Sequence, residues 1–233
     1  MSRWRPRQYE KAGKADFRSA ALLNEWGAGR APRTNFSGSR SGSYMSRHRH
    51  PDKRPNLVLI GSRATGKTSV GARLAEILDC PFVDLDQVLV REANRSVAEI
   101  VAQGGWAEFR RLEKELVARY RDARGLVLAT GGGVVLDPDN VAALRENGIL
   151  IWLTADPAVL QSRLAQDQPR DANRPSLTGG DTIREVAEVA EARAPLYQAA
   201  AQMSIDTTHR SVAQVVKLVL AALKFEETKN LGG

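Results

Sequence analysis

The sequence predicts a three-layer α/β domain. A central parallel sheet of about five strands is flanked by helices, with a phosphate-binding loop after the first strand and a mobile lid loop late in the chain. Three observations carry this expectation. From residue 55 onward, short apolar runs alternate with helically spaced segments, a pattern that covers both faces of a parallel sheet with crossover helices. The first run, NLVLI (56–60), leads directly into the glycine-containing stretch GSRATGKTSVG (61–71). The stretch DQPRDANRPSLTGGD (167–181) is polar, rich in turn formers and long enough to be a functional loop.

Each element has a reason in the residues. NLVLI is β-branched and apolar, the composition of a buried strand. In TSVGARLAEILD (68–79), Val70, Leu74, Ile77 and Leu78 recur at helical spacing and are expected on one face. PFVDLD (81–86) reads as the second strand, and SVAEIVAQGGWAEFRRLEKELVARYRD (96–122) as two helices broken at Gly104-Gly105. GLVLAT (125–130) is the third strand and runs into three glycines. PDNVAALREN (138–147) is a helix with Gly148 as its stop, and ILIWLT (149–154) the fourth strand. DPAVLQSRLAQ (156–166) starts a helix at an Asp-Pro cap. TIREVAEVAEARAPLYQAAA (182–201) is helical with a break expected at Pro195. MSIDT (203–207) is the last strand and SVAQVVKLVLAALK (211–224) the closing helix. The folded domain is therefore expected over 55–225, with a flexible tail at 226–233.

Charge divides the chain. The 233 residues carry a formal net charge of +7, but residues 1–54 hold 13 Lys/Arg against 4 Asp/Glu, leaving −2 for the other 179. The basicity thus belongs to the N-terminal segment, and a nucleic-acid-binding domain is not expected. Its SGSRSGSYMSRHRHPDKRP composition reads as disordered. A transit peptide, a basic arm for an anionic partner, or translated upstream sequence before a working start at Met45 all fit; a dispensable tail or misassigned start is favoured over the others. The single cysteine, Cys80, forms no intramolecular disulfide, which fits a reducing, cytoplasmic setting. No apolar stretch is long enough for a transmembrane helix.

Gly61-x4-Gly66-Lys67-Thr68 fits the pattern G-x-x-x-x-G-K-[ST] between a strand and a helix. Its glycines let successive N–H groups converge on an anion, and the helix start adds positive potential. Lys67 reaches the β and γ phosphates as a point charge, and Thr68 offers a hydroxyl to Mg²⁺. GTPases, ATPases and small-molecule kinases all share this loop, so the acceptor must be read elsewhere. Asp84 and Asp86, two apart at a strand end, are expected to point the same way. One carboxylate would hold Mg²⁺ through water and the other would take a proton from an acceptor hydroxyl. Gly131-Gly132-Gly133 brings bare backbone to the same sheet edge. Arg110 and Arg111 of FRRLE (109–113), and Arg174 and Arg193 after the fourth strand, are each solvated surface charges by default; a planar guanidinium pair would suit a carboxylate, and a loop arginine a transferring phosphoryl group.

In order, GSRATGKT…DLD…EFRRLE…ATGGG…NRPSLTG…EARAPLY resembles shikimate kinase over roughly residues 55–225. The resemblance implies a nucleoside-monophosphate-kinase-like fold and transfer of the ATP γ-phosphoryl to the 3-hydroxyl of shikimate, with Mg²⁺, in a monomer. By matching position, Ala64, Thr65, Gly66, Lys67, Thr68 and Ser69 correspond to the phosphate loop. Thr68 and Asp84 correspond to the metal side, and Asp86 to the residue that grips shikimate hydroxyls and acts as base. Arg110 and Arg193 correspond to the pair on the shikimate carboxylate, with Gly132 and Gly133 as backbone donors. Arg174 corresponds to the lid arginine on the phosphates and Arg163 to an adenine-side arginine. Ala64 stands where the family often has Gly; a left-handed backbone there would cost Ala roughly 1 kcal/mol. A kinase of another small hydroxy acid, such as gluconate, is the alternative, and the paired arginines, DLD and triple glycine favour shikimate over it.

Overall fold

A computed structural model of the chain describes residues 54–166 and 182–230. The elements run β1 (Asn56–Ile60), α1 (Lys67–Leu78), β2 (Phe82–Asp84), α2 (Leu85–Ala93), α3 (Val97–Arg119), β3 (Val127–Ala129), a short 3₁₀ turn (Val134–Leu136), α4 (Pro138–Glu146), β4 (Gly148–Thr154), α5 (Pro157–Gln166), α6 (Thr182–Ala200), β5 (Met203–Asp206) and α7 (Val212–Asn230). The expected lid at 167–181, with Arg174, lies outside the described residues, as does the extension before residue 54.

All five strands are parallel, in the order β2-β3-β1-β4-β5. The chain therefore leaves β1 toward one edge to build β2 and β3, then crosses to the other side for β4 and β5. The end of β1 is the switch point, where open α/β sheets form a ligand crevice. Side-chain alternation along β1 makes the three layers. Leu57 and Leu59 pack with α1 and α7, while Val58 and Ile60 pack with the α2, α3, α4 and α6 side.

Several elements differ from the sequence reading. On α1 the buried face is Val70, Gly71, Leu74 and Ala75, whereas Ile77 is 41% exposed. At 100° per residue Ile77 falls about 90° off the centre of that face. The second strand ends at Asp84, because Asp84 caps a helix: its carboxylate accepts from the Gln87 N–H at 3.2 Å. That helix, α2, has Asp86 in its first turn, Arg91 in its last, and Leu85 and Leu89 buried one turn apart. So Asp84 and Asp86 are not two residues of one strand face. The break in α3 is at Gly105 alone (φ 68°, ψ −178°), between a capping box at Ser96–Glu99 and the buried stripe of Phe109, Glu113 and Leu116. Pro195 does not interrupt α6. Glu191, whose carbonyl would otherwise pair with an N–H at position 195, is an exposed residue, while Val186, Tyr197 and Ala200 bury the helix on either side. The closing helix continues past Lys224 into the expected tail, through a run of helix-favouring Lys and Glu. No helix among the described residues is long and apolar enough to cross a membrane.

Candidate active site

The phosphate loop is built by short-range bonds. The Thr65 hydroxyl donates to Ser62 O at 2.9 Å, and the Lys67 ammonium donates to Gly61 O at 2.8 Å and Ser62 O at 2.7 Å. Ala64 takes φ 60°, the left-handed backbone that the sequence made conditional, and Gly66 caps α1 at φ 90°. Thr68 and Ser69 are exposed in the first turn of α1. The Thr68 hydroxyl donates to Asp84 Oδ2 at 2.7 Å, linking the end of β2 to the loop across the intervening β3. A hydroxyl beside a carboxylate is a hard-oxygen pair of the kind Mg²⁺ accepts.

Asp86 points elsewhere. Together with Arg110, Gly132, Gly133 and Arg193 it lines one pocket beside the loop, so all five residues expected on the acceptor side meet. Trp106, Phe109, Glu113 and Arg63 are also part of its wall. Arg110 lies against bare backbone: a Cβ on Gly133 would stand 2.1 Å from its Nη2, so only glycine admits the guanidinium there. The Arg110 guanidinium also sits 5.2 Å from the Phe109 ring centroid and 5.7 Å from that of Trp106.

Glu113 fixes Arg110 from the next turn. Arg110 Nη1 donates to Glu113 Oε2 at 2.5 Å. Glu113 is only 4% exposed, and its Oε1 has no hydrogen-bond partner among the described residues. Burial pushes its pKa up, and the nearby Asp86 adds to this, while Arg110 and Arg193 pull the other way. Arg193, on α6, donates through Nη1 to Gly132 O at 3.0 Å, and the Tyr197 hydroxyl donates to the same oxygen. Gly132 thus uses its carbonyl to hold the wall of the pocket.

Arg163 is not in this pocket. It donates to Ala64 O at 3.3 Å, to Thr207 Oγ1 at 3.0 Å and to Thr207 O at 2.6 Å, tying the phosphate loop to the end of β5. Glu113, Arg63 and Tyr197 were not singled out from sequence. Glu113 had a signal, its i,i+3 spacing from Arg110 within FRRLE; Arg63 occupies an unconstrained position of the loop pattern, and Tyr197 follows Arg193 by one turn.

Comparison with known proteins agrees with this geometry. The shikimate kinase family model matches residues 63–224. Shikimate kinase 2 of Yersinia enterocolitica is 41% identical over 173 residues, spanning 74% of this chain and 98% of that protein. Shikimate kinase of Symbiobacterium thermophilum is 44% identical over 169 residues, spanning 72% and 96%. Among solved structures, shikimate kinase from Acinetobacter baumannii in complex with shikimate superposes with a TM-score of 0.68 at 30% identity, covering 74% of this chain and 94% of that one. The match runs from the phosphate loop into α7, through every element that lines the acceptor pocket, and the chain belongs to the shikimate kinase family.

Proposed function

We propose that the chain transfers the γ-phosphoryl group of ATP to the 3-hydroxyl of shikimate, giving shikimate 3-phosphate, a step of aromatic amino acid biosynthesis by way of chorismate. The observation that carries this is the meeting of Arg110, Arg193, Asp86 and the Gly132–Gly133 backbone in one pocket beside the phosphate loop. Shikimate is a cyclic carboxylate bearing hydroxyls. Two guanidinium groups suit the carboxylate, and a carboxylate side chain with backbone donors suits the hydroxyls.

The roles proposed for the residues are those that the resemblance implies and that the described geometry is compatible with. The backbone of Ala64 to Ser69 cradles the nucleotide phosphates, and the Lys67 ammonium leaves the loop carbonyls to meet the β and γ phosphates. Thr68 and Asp84 would hold Mg²⁺. Bound there, the ion neutralises charge on the phosphate oxygens. Arg163, at the loop's outer side, is assigned to the adenine side, and Arg174 to the phosphates. Asp86 accepts the hydrogen bond of the 3-hydroxyl and takes its proton as the new O–P bond forms and ADP departs. We take the working unit to be a monomer; a cytoplasmic setting suits the single Cys80.

The test is ADP release with MgATP and, in separate reactions, shikimate, gluconate, nucleoside monophosphates or no acceptor. Selective stimulation by shikimate is expected. Stimulation by another acceptor alone would overturn the assignment.

A further inference from the structure

Tyr197 sits one turn beyond Arg193 on α6, so the two side chains leave the helix on one face. Both end on the Gly132 carbonyl oxygen. A carbonyl oxygen offers two lone pairs, and here each has its donor. The tyrosine is 1% exposed and does not line the acceptor pocket. Its ring is stacked on Trp152 of β4, with centroids 5.8 Å apart and planes at 22°. Burial pushes its pKa up to about 12, so the phenol keeps its proton throughout the neutral range.

The Gly132–Gly133 peptide has no side chain on either residue to restrain it. A peptide unit is planar and trans, so pinning the Gly132 C=O also sets the Gly133 N–H, which leaves on the opposite side. The same pin sets the guanidinium of Arg193, which spends one of its five N–H donors on that oxygen. We propose that Tyr197 is a positioning residue for the acceptor: through one hydrogen bond to Gly132 O it holds both the Gly133 N–H and the Arg193 fork in the geometry that receives a hydroxylated carboxylate. This rests on the reading of the pocket as the shikimate site.

Steady-state kinetics of Tyr197→Phe tests it. The ring and its stacking on Trp152 remain, and only the hydroxyl is lost, with its donation to Gly132 O and its bond to the neighbouring Arg193. The KM for shikimate should rise about five- to tenfold, the size of one neutral hydrogen bond. The KM for ATP should stay within about twofold of wild type, because the hydrogen bonds and ring stacking of Tyr197 go to Gly132, Arg193 and Trp152 and not to the phosphate loop. Calorimetric titration with shikimate should show the same loss of affinity without turnover. Tyr197→4-fluorophenylalanine, nearly isosteric and unable to donate, guards against a packing defect in the first variant and should behave alike. An unchanged shikimate KM in either folded variant overturns the proposal. So does a parallel rise in both KM values, or a fall in kcat alone, since either marks a general structural role. Wild-type protein that shikimate fails to stimulate overturns the reading of the pocket itself; a stimulated wild type with an unaltered variant overturns only the role of Tyr197.

Discussion

Arg110 is held on three sides before any ligand arrives: by the Glu113 carboxylate, by the faces of Trp106 and Phe109, and by the bare backbone of Gly133. A planar fork so confined can present a second edge to a carboxylate, whereas an ammonium cannot fill the same contacts. Arg110→Lys should therefore raise the KM for shikimate about ten- to a hundredfold, the range for one charge-assisted hydrogen bond, and leave the KM for ATP nearly alone. Varying each substrate separately checks this, and a wild-type shikimate KM would remove Arg110 from the site. Glu113 yields a second prediction. Its folded pKa lies above the ordinary 4.5, chiefly through burial. The folded chain thus keeps this proton longer than the unfolded chain, so the contribution is fully present at low pH and is lost as pH rises from about 4.5. Denaturant unfolding of wild type and Glu113→Gln from about pH 4 upward to neutrality should show the wild type losing ground to the variant as pH rises above the ordinary glutamate value, by at most about 1.4 kcal/mol per pH unit. A constant difference across that range would contradict the assignment.

At the scale of elements, the joint in α3 is the clearest case of backbone deciding structure. Gly105 has φ 68° and ψ −178°, and a Cβ built there meets nothing within 4 Å. Gly105→Ala therefore costs only backbone strain, about 1–3 kcal/mol, with no steric term to relax. Thermal or chemical denaturation should show that loss; a neutral result would mean the helix straightens without penalty. The sequence showed the position of this joint because a Gly-Gly pair is a strong local breaker. β1 was equally legible, since four consecutive apolar residues, Leu57 to Ile60, before a phosphate loop admit one reading. PFVDLD was not, because Asp84 serves at once as strand end and helix cap, and a strand-period pattern hides the switch of period at Leu85. Pro195 misled for a different reason: its effect depends on whether the orphaned carbonyl reaches water, which only tertiary structure decides. The acceptor residues were legible through the family's motif order, while Tyr197 was not, since its function lies in a contact with Gly132, 65 positions away.

For the whole molecule, the family model begins at residue 63, and the basic residues before 54 lie outside it. A chain starting at Met45 should accordingly fold and keep the kcat of the full chain. A large loss of activity or solubility on that truncation would show that the basic extension contributes to the domain.

The turn of the phosphate loop is made by hydrogen bonds between residues 3, 5 and 6 apart, although Arg163 also anchors it from 99 positions away. Arg193 and Tyr197 reach the acceptor wall at Gly132 across 61 and 65 positions. Loop closure must precede any reward from contacts as distant as those on Gly132, so we expect the acceptor wall to close late in folding. An acceptor bound to that wall then stabilises contacts absent from the folding transition state. Shikimate should slow unfolding, by a factor that grows with its concentration, and leave the folding rate nearly untouched. Stopped-flow refolding and unfolding in denaturant, with and without shikimate, measure the two limbs separately. The acceptor would thus act on this enzyme as a kinetic lock, prolonging the life of the folded chain that consumes it.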